Sequence, residues 1–155
     1  MEKSTKIIAY TDGSCLKNPN GPGGYATVII DEDGKETILS GGEESTTNNR
    51  MEMCAVLAAL KNVYEKGKSK HIVIYTDSKY IQHAFVREWL MGWMQNGWVT
   101  SVGTPVKNKD LWIEILDYIS TNLVEFRWVK GHCGNKYNEL CDELARNEAL
   151  KFKAK

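Results

Sequence analysis

Two stretches of this 155-residue chain are nearly alike: IIAYTD at residues 7–12 and IVIYTD at residues 72–77. Each is a run of residues that favour β-structure, and each ends in an aspartate, Asp12 and Asp77. If the two strands are parallel neighbours, both carboxylates emerge at one edge of a sheet whose strands lie about 4.8 Å apart. Carboxylates this close repel each other unless a proton or a cation lies between them. The repeat therefore predicts a metal site at a sheet edge, where open α/β sheets usually build their sites.

The composition is that of an ordinary globular protein, with 42% hydrophobic residues and 20 acidic against 20 basic residues. We expect one domain over residues 1–150 and a short, frayed basic tail over 151–155. No signal peptide and no membrane-spanning run is visible. The cysteines form no CxxC pair, which favours a reducing, cytoplasmic setting; they are Cys15, Cys54, Cys133 and Cys141. The balanced charge gives no sign of a nucleic-acid partner.

The order of the predicted elements indicates an α/β fold. Strands are predicted over 6–12, 25–30, 36–39, 71–77 and 124–129, and helices over 49–66, from Ser78, over 109–121 and over 136–150. We expect a turn-rich loop from Gly13 to Gly24 and a hairpin at Asp33-Gly34, whereas residues 87–106 are hard to assign. Three opening strands followed by alternating helices and strands imply a five-stranded mixed sheet flanked by helices.

Glu52 lies near the start of the predicted 49–66 helix. Val56, Ala59 and Val63 follow at helical spacing, so Glu52 shares the stripe that should face the sheet. A carboxylate facing a core is costly unless it is paired or bound to metal. The alternative is a capping box in which Asn49 caps the helix and Glu52 occupies its third position.

Asp142 and His132 lie on either side of the start of the last predicted helix. Asp142 shares a stripe with Ala145 and Ala149, whose small side chains would let the helix approach the sheet closely. His132 lies in a glycine-flanked loop after the 124–129 strand, and imidazole titrates near neutral pH, which suits a proton carrier. The alternative for Asp142 is a solvent-exposed acid near the helix start, where it interacts favourably with the helix dipole. The alternative for His132 is an ordinary surface histidine.

Four acids in one cleft would not remain ionised without cations. Hard oxygen ligands suit Mg²⁺ or Mn²⁺, with water and substrate phosphate completing the coordination. Two such ions about 4 Å apart would clamp an in-line displacement at phosphorus, one activating the attacking water and the other stabilising the leaving oxygen.

The motifs together resemble ribonuclease H of type 1 in its bacterial form. They are YTDGSC around Asp12, TTNNRME ending at Glu52, YTDS around Asp77, VKGH ending at His132 and NELCDELA around Asp142, with PVKN and DLW between them. They occur in the family's order and spacing and cover nearly the whole chain. The resemblance implies a ribonuclease H-like fold that carries a handle segment at about 81–109.

The resemblance also implies a metal-dependent endonuclease that hydrolyses the RNA strand of an RNA–DNA hybrid, leaving 5′-phosphate and 3′-hydroxyl ends. Asp12, Glu52, Asp77 and Asp142 would hold two Mg²⁺ ions, with Mn²⁺ as a substitute, and Asp12 would bridge them. His132 would assist proton movement and product release. We expect a monomer that needs no membrane and no obligate protein partner.

The substrate contacts implied by the resemblance are backbone groups and short polar side chains. They are Gly13, Ser14, Cys15, Asn18, Asn48 and Asn49, with Thr47 and Asn108 in a pocket for a phosphate of the DNA strand. Contacts to 2′-hydroxyl groups would distinguish a hybrid from DNA. Residue type alone allows other roles for these positions. Cys15 could be a small buried residue in a loop. Thr47, Asn48 and Asn49 are candidate helix caps, and Asn108 is a candidate turn residue.

The chain departs from the family at two places. Relatives often carry an arginine two residues before Thr47, where this chain has Ser45. The handle of bacterial relatives is rich in lysine, whereas residues 86–103 hold one basic residue, Arg87. Phe85, Trp89 and Trp93 there fall at helical spacing, either as the handle's own core or as a stacking surface for the hybrid.

Three other interpretations compete with this one. A resolvase or integrase core would share the acids but not the loop around His132 or the handle. A hybrid-binding or dimerisation module that has lost activity would usually lack one of the acids. A purely structural role, in which Asp12 and Asp77 only end strands, leaves Glu52, Asp142 and His132 unexplained.

Overall fold

The computed structural model describes residues 6–17, 20–64, 71–86, 89–100, 102–129 and 136–153. These residues form one five-stranded sheet and five helices. The strands are Lys6–Cys15 (β1), Gly21–Ile30 (β2), Glu36–Thr46 (β3), His71–Thr76 (β4) and Leu123–Trp128 (β5). The helices are Asn48–Tyr64 (α1), Lys79–Val86 (α2), Trp89–Gln95 (α3), Lys109–Thr121 (α4) and Lys136–Lys153 (α5).

The sheet has the strand order β3-β2-β1-β4-β5. The first three strands are antiparallel, whereas β1, β4 and β5 run parallel. Ile8 pairs with Val73 and Tyr10 with Tyr75, which places the two similar sequence stretches side by side in register. The predicted mixed sheet and the predicted parallel neighbours are both confirmed.

The two faces of the sheet bury separate apolar clusters. Ala9 packs with α1 and the other helices on one face, whereas the next residue, Tyr10, packs toward α5 on the other. This alternation is that of a central strand covered by helices on both faces. No helix of the described residues is long and apolar enough to cross a membrane.

The glycine-rich segment between β1 and β2 is more regular than the sequence predicts. β1 continues to Cys15 and β2 begins at Gly21, with Gly13 paired to Tyr25 and Cys15 to Gly23. The prediction of a turn-rich loop from Gly13 to Gly24 is therefore wrong for most of that range. The expected turn at Gly34 is confirmed, since its φ is 83° and its amide bonds to the Asp31 carbonyl.

The described part of residues 87–106, which the sequence left unassigned, forms α3 and a short hairpin. Val99 and Pro105 form an isolated antiparallel bridge, and the Thr100 amide donates to the Thr104 carbonyl. α2 ends at Val86 and α3 begins at Trp89, so the helical spacing of Phe85, Trp89 and Trp93 spans two described helices.

The aromatic residues of this region pack on one another, as the handle-core interpretation predicts. Trp93 lies 6.1–6.5 Å, between ring centroids, from Trp89, Trp98 and Trp112. Trp112 is fully buried, and its indole nitrogen donates to the Tyr80 hydroxyl at 3.1 Å. These aromatic residues also pack against the main apolar cluster that contains Ala9 of β1, so the predicted separate core of the handle is wrong and the region shares the core of the sheet.

The last helix is longer than predicted. The expected fraying after Leu150 is wrong for the described part, because α5 continues to Lys153. The Lys151 ammonium bonds to Glu148 at 2.8 Å and Phe152 is partly buried, which supports this last turn.

Candidate active site

Asp12 and Asp77 reach the same edge of the sheet, as their strands predict. Asp12 lies in β1 two residues after the Tyr10–Tyr75 pair, and Asp77 directly follows β4. The Thr11 hydroxyl donates to the Tyr75 carbonyl at 3.1 Å and ties the two strand ends together. Asp12 and Asp77 line one small cleft with Thr11, Val129 and Asn138.

A close contact between β1 and α1 places Glu52 beside the aspartates. A Cβ atom at Gly13 would lie 2.3 Å from the Glu52 backbone nitrogen, so only glycine permits this approach. Val56, Ala59 and Val63 are buried, which confirms that the Glu52 stripe faces the sheet.

The capping-box alternative for Glu52 is wrong. α1 begins at Asn48, so Asn49 is already helical. Thr47 caps the helix instead, its hydroxyl oxygen accepting the Arg50 amide at 3.2 Å. The Glu52 side chain therefore does not cap α1, and it can contribute its carboxylate to the group at the sheet edge.

The carboxylate oxygens of Asp12, Glu52 and Asp77 all lie within 4.8 Å of one another. Burial, and then the neighbouring Asp77 carboxylate, raise the pKa of Asp12 to about 7, although the Gly13 amide donates to its Oδ1 at 2.9 Å. Burial and the two aspartates raise the pKa of Glu52 well above its ordinary value. Without a cation, Asp12 and Glu52 hold their protons to higher pH than isolated carboxyl groups do.

One oxygen of the cluster fits the role of a cation ligand. Glu52 Oε2 is fully enclosed and has no hydrogen-bond partner. A buried carboxylate oxygen without a partner is costly, and a bound cation would remove that cost. Three carboxylates with such an oxygen are a donor set that fits a hard divalent cation.

Asp142 reaches the cluster from the opposite face of the sheet. Ala145 and Ala149 of α5 are fully buried, and a Cβ at Gly24 of β2 would lie 2.1 Å from the Ala145 carbonyl oxygen. The predicted close approach of this helix is therefore confirmed. Asp142 lies outside the group of three, but its carboxylate is close enough to raise the pKa of Asp12. Arg146, one turn along α5, pairs with it at 2.6 Å.

Two of the predicted site residues, His132 and Asn18, lie outside the described residues. The segment that holds His132 leads into α5 and follows Val129, which lines the cleft with the aspartates.

The other predicted substrate residues gather around the start of α1. Gly13, Ser14 and Cys15 end β1, Asn48 and Asn49 open α1, and Thr47 and Asn108 immediately precede α1 and α4. The Cys15 thiol lies 3.3–3.4 Å from the carbonyl oxygens of Lys17, Gly21 and Thr46. These contacts hold the connection between β1 and β2, so its side chain supports the segment beside the cleft.

Three polar residues near these groups were not singled out from the sequence. Asn138 lies one turn before Asp142 in α5 and lines the cleft, a helical spacing that the sequence does show. Arg146 pairs with Asp142, again at the i, i+4 spacing of an ion pair. Arg50 contacts Asn108 and Asp110 of a distant segment, which no local pattern reveals.

Comparison with known proteins accounts for this arrangement. The RNase H family model matches residues 4–150. The chain belongs to the RNase H family. A ribonuclease H of Idiomarina loihiensis is 49% identical to it, over 97% of this chain and 92% of the relative. A ribonuclease H of Treponema denticola is 49% identical, over 90% and 94%. Membership of the RNase H family makes the chain a nuclease and implies that it uses divalent metal.

Solved RNase H structures share the fold. LC9-RNase H1, described as a type 1 RNase H with the type 2 active-site motif, superposes with a TM-score of 0.81 at 32% identity, over 97% of this chain and 75% of that one. LC11-RNase H1 in complex with an RNA/DNA hybrid gives a TM-score of 0.68 at 27% identity, over 94% and 97%. The predicted ribonuclease H-like fold is confirmed.

Proposed function

We propose that this RNase H hydrolyses the RNA strand of RNA–DNA hybrids as an endonuclease, leaving 5′-phosphate and 3′-hydroxyl ends. The observation that carries the proposal is the meeting of Asp12, Glu52 and Asp77, whose carboxylate oxygens lie within 4.8 Å of one another. A relative of the same fold was solved with an RNA/DNA hybrid, which supports the substrate class.

Asp12, Glu52, Asp77 and Asp142 would hold two Mg²⁺ ions, or Mn²⁺ in their place. When bound, the ions supply an activated water and charge neutralisation at the leaving oxygen. Asp12 lies among all three other acids, since Asp77 and Asp142 both act on its pKa and Glu52 is in the same cluster. By resemblance, Asp12 would contribute to holding both ions, and Asp142 would complete one site from α5.

The other residues would orient the RNA strand and move protons. Gly13 and the segment that follows present backbone groups beside Asp12, where a 2′-hydroxyl can both donate and accept a hydrogen bond. By resemblance, His132 would accept and release a proton near the leaving group. Arg146 would restrain the Asp142 carboxylate through their ion pair at 2.6 Å.

The direct test is cleavage of a hybrid labelled on each strand, with Mg²⁺, Mn²⁺ or chelator. We expect cleavage of the RNA strand only, in the presence of metal, with single strands and duplex DNA left intact. Asp142→Asn should lose activity, whereas Glu143→Gln, an exposed acid one residue further along α5, should retain it. No cleavage with either metal, alongside hybrid binding, would indicate a binding module instead.

A further inference from the structure

Three tyrosine rings form a stack on the face of the sheet that α5 covers. Tyr10 of β1 lies at the centre, with its ring centroid 5.0 Å from that of Tyr75 on β4 and 5.0 Å from that of Tyr137 on α5. The interplanar angles are 13° and 24°, so both contacts are stacked rather than edge-on. The stack therefore joins β1, β4 and α5 in one row.

The stack lies next to the acid cluster. Tyr10 and Tyr75 are paired across β1 and β4, and each stands two residues before an acid, Asp12 and Asp77 respectively. Residues two apart in an extended chain share a face and are about 6.6 Å apart. The two paired rings thus form the layer of side chains beside the two aspartates.

Two successive turns of α5 are fixed at Tyr10. The Tyr137 ring stacks on the Tyr10 ring, and one turn later the Cys141 thiol donates to the Tyr10 carbonyl at 3.2 Å. Cys141 is fully buried, and Asp142 is the next residue. Since Asp12 follows Tyr10 by only two residues, these two contacts set how far the Asp142 carboxylate lies from that of Asp12.

The position of α5 at this point depends on the ring of Tyr137 rather than on its hydroxyl. The hydroxyl donates to Glu36 of β3, a bond at the surface, where water can replace either partner. The ring packs in the apolar cluster under α5. Stacked aromatic rings gain more than the area that they bury, because the stacked geometry is itself favourable.

We propose that Tyr137 is a positioning residue for Asp142, and that its stack on Tyr10 places the Asp142 carboxylate where it can share a cation with Asp12. The inference rests on the proposed function, in which both acids hold metal. Arg146 restrains the Asp142 side chain along the helix, whereas Tyr137 fixes the helix itself on β1. Without the ring, the first turns of α5 are less firmly held and Asp142 is a weaker ligand.

The test is Mn²⁺ binding to the free protein at pH 8, followed by electron paramagnetic resonance. Asp142→Asn identifies the ion concerned, because it removes one of that ion's ligands and should weaken its binding. Tyr137→Leu should weaken the same ion by about two- to tenfold, the range set by the strength of an aromatic pair. Tyr137→Phe keeps the ring and should bind as the unaltered chain does. Tyr137 is only partly buried, so the leucine variant is expected to fold.

A second tyrosine stack provides the matched control. Tyr64 of α1 and Tyr118 of α4 stack at 6.1 Å and 22° on the opposite face of the sheet. Tyr118→Leu removes the same kind of ring from a helix without touching α5. A merely structural role for Tyr137 predicts that both leucine variants lower the midpoint of urea denaturation and that neither changes Mn²⁺ binding by the folded protein.

Hybrid cleavage gives a second readout. Tyr137→Leu should need more Mn²⁺ for its half-maximal rate, while the KM for the hybrid stays unchanged, because the ring lies beside the metal ligands and not on the substrate. Mn²⁺ binding by Tyr137→Leu equal to that of the unaltered chain, or a loss of equal size in Tyr137→Phe, would overturn the inference. An unchanged affinity in Asp142→Asn would also overturn it. Failure of the proposed function is scored separately, as absence of RNA-strand cleavage by the unaltered chain.

Discussion

Gly13 of β1 packs directly on the backbone of Glu52, so closely that an added Cβ would lie 2.3 Å from the Glu52 nitrogen. Asp12 precedes this contact in the chain, and one steric fit therefore brings two of the site's carboxylates together. The absence of a side chain at position 13 is as much a requirement of the site as the acids themselves.

Gly13→Ala should therefore damage both folding and activity. The added methyl group meets backbone atoms of Met51 and Glu52, which cannot move aside like a flexible side chain, and we expect a loss of ~1–3 kcal/mol in the free energy of unfolding. Urea denaturation and the strand-specific cleavage assay measure the two effects. Gly92→Ala is the control, because a Cβ in that turn of α3 meets nothing within 4 Å. Equal stability of the two variants would contradict the steric argument.

The metal-free protein should lose stability as the pH rises from about 4 to about 7. Burial and neighbouring acids raise the pKa of Asp12 from 3.8 to about 7 and that of Glu52 well above its ordinary value. In this range the folded state holds more protons than the unfolded state, so its stability falls with pH until these carboxyl groups have lost their protons in the folded state. The shift of Asp12 alone corresponds to ~4 kcal/mol at most.

Urea denaturation in chelator at several pH values tests this dependence. Saturating Mg²⁺ should abolish most of the decline, because a cation replaces the protons between the carboxylates. Metal-free stability that rises steadily from pH 4 to pH 8 would show that the acids do not repel one another in the folded chain.

Asp12→Asn should abolish cleavage and leave the metal-free fold intact or more stable. The substitution removes one of several crowded acids and thus relieves repulsion. The gain should be largest near pH 8 and small near pH 4, where the carboxyl groups are already protonated. Thermal melting in chelator measures it, and a clear drop in the midpoint at pH 8 would count against this account.

The parallel pairing of β1 with β4 and the position of three acids were predictable because they follow from short-range sequence patterns. The Tyr-Thr-Asp ending that two strands share predicted that they are parallel neighbours. The helical spacing of Val56, Ala59 and Val63 predicted that Glu52 faces the sheet. Contacts between distant segments were not predictable. Arg50 finds Asp110 only after α1 and α4 have packed, a pairing across 60 positions.

Glycine was the main source of error. Its enrichment between Gly13 and Gly24 favours turns in a single sequence, yet Gly13 and Gly24 serve to admit α1 and α5 against the sheet. A residue that permits a turn also permits close packing, and local sequence does not separate the two. The same limit applies to the capping of α1, where three adjacent residues were suitable and the structure uses Thr47.

The handle should bind the hybrid with a shallower salt dependence than a lysine-rich relative. Residues 86–103 carry one basic residue, and the tryptophans beside it pack on one another. Fewer phosphate contacts release fewer counterions, so affinity should be lower and the log–log slope less steep. Salt titration of hybrid binding, with the catalytic aspartate replaced in both proteins, makes the comparison. A slope as steep as that of the relative would refute it.

The central claim is that the carboxylates at the sheet edge form a cation site, to which Glu52 contributes a fully enclosed oxygen. The most direct measurement is the thermal midpoint at pH 8 as Mg²⁺ is added, for the unaltered chain and for Glu52→Gln. The unaltered chain should be stabilised progressively, as a ligand that binds only the folded state requires, while Glu52→Gln should respond much less. An equal response of both proteins would contradict the account, because the ion would then bind elsewhere.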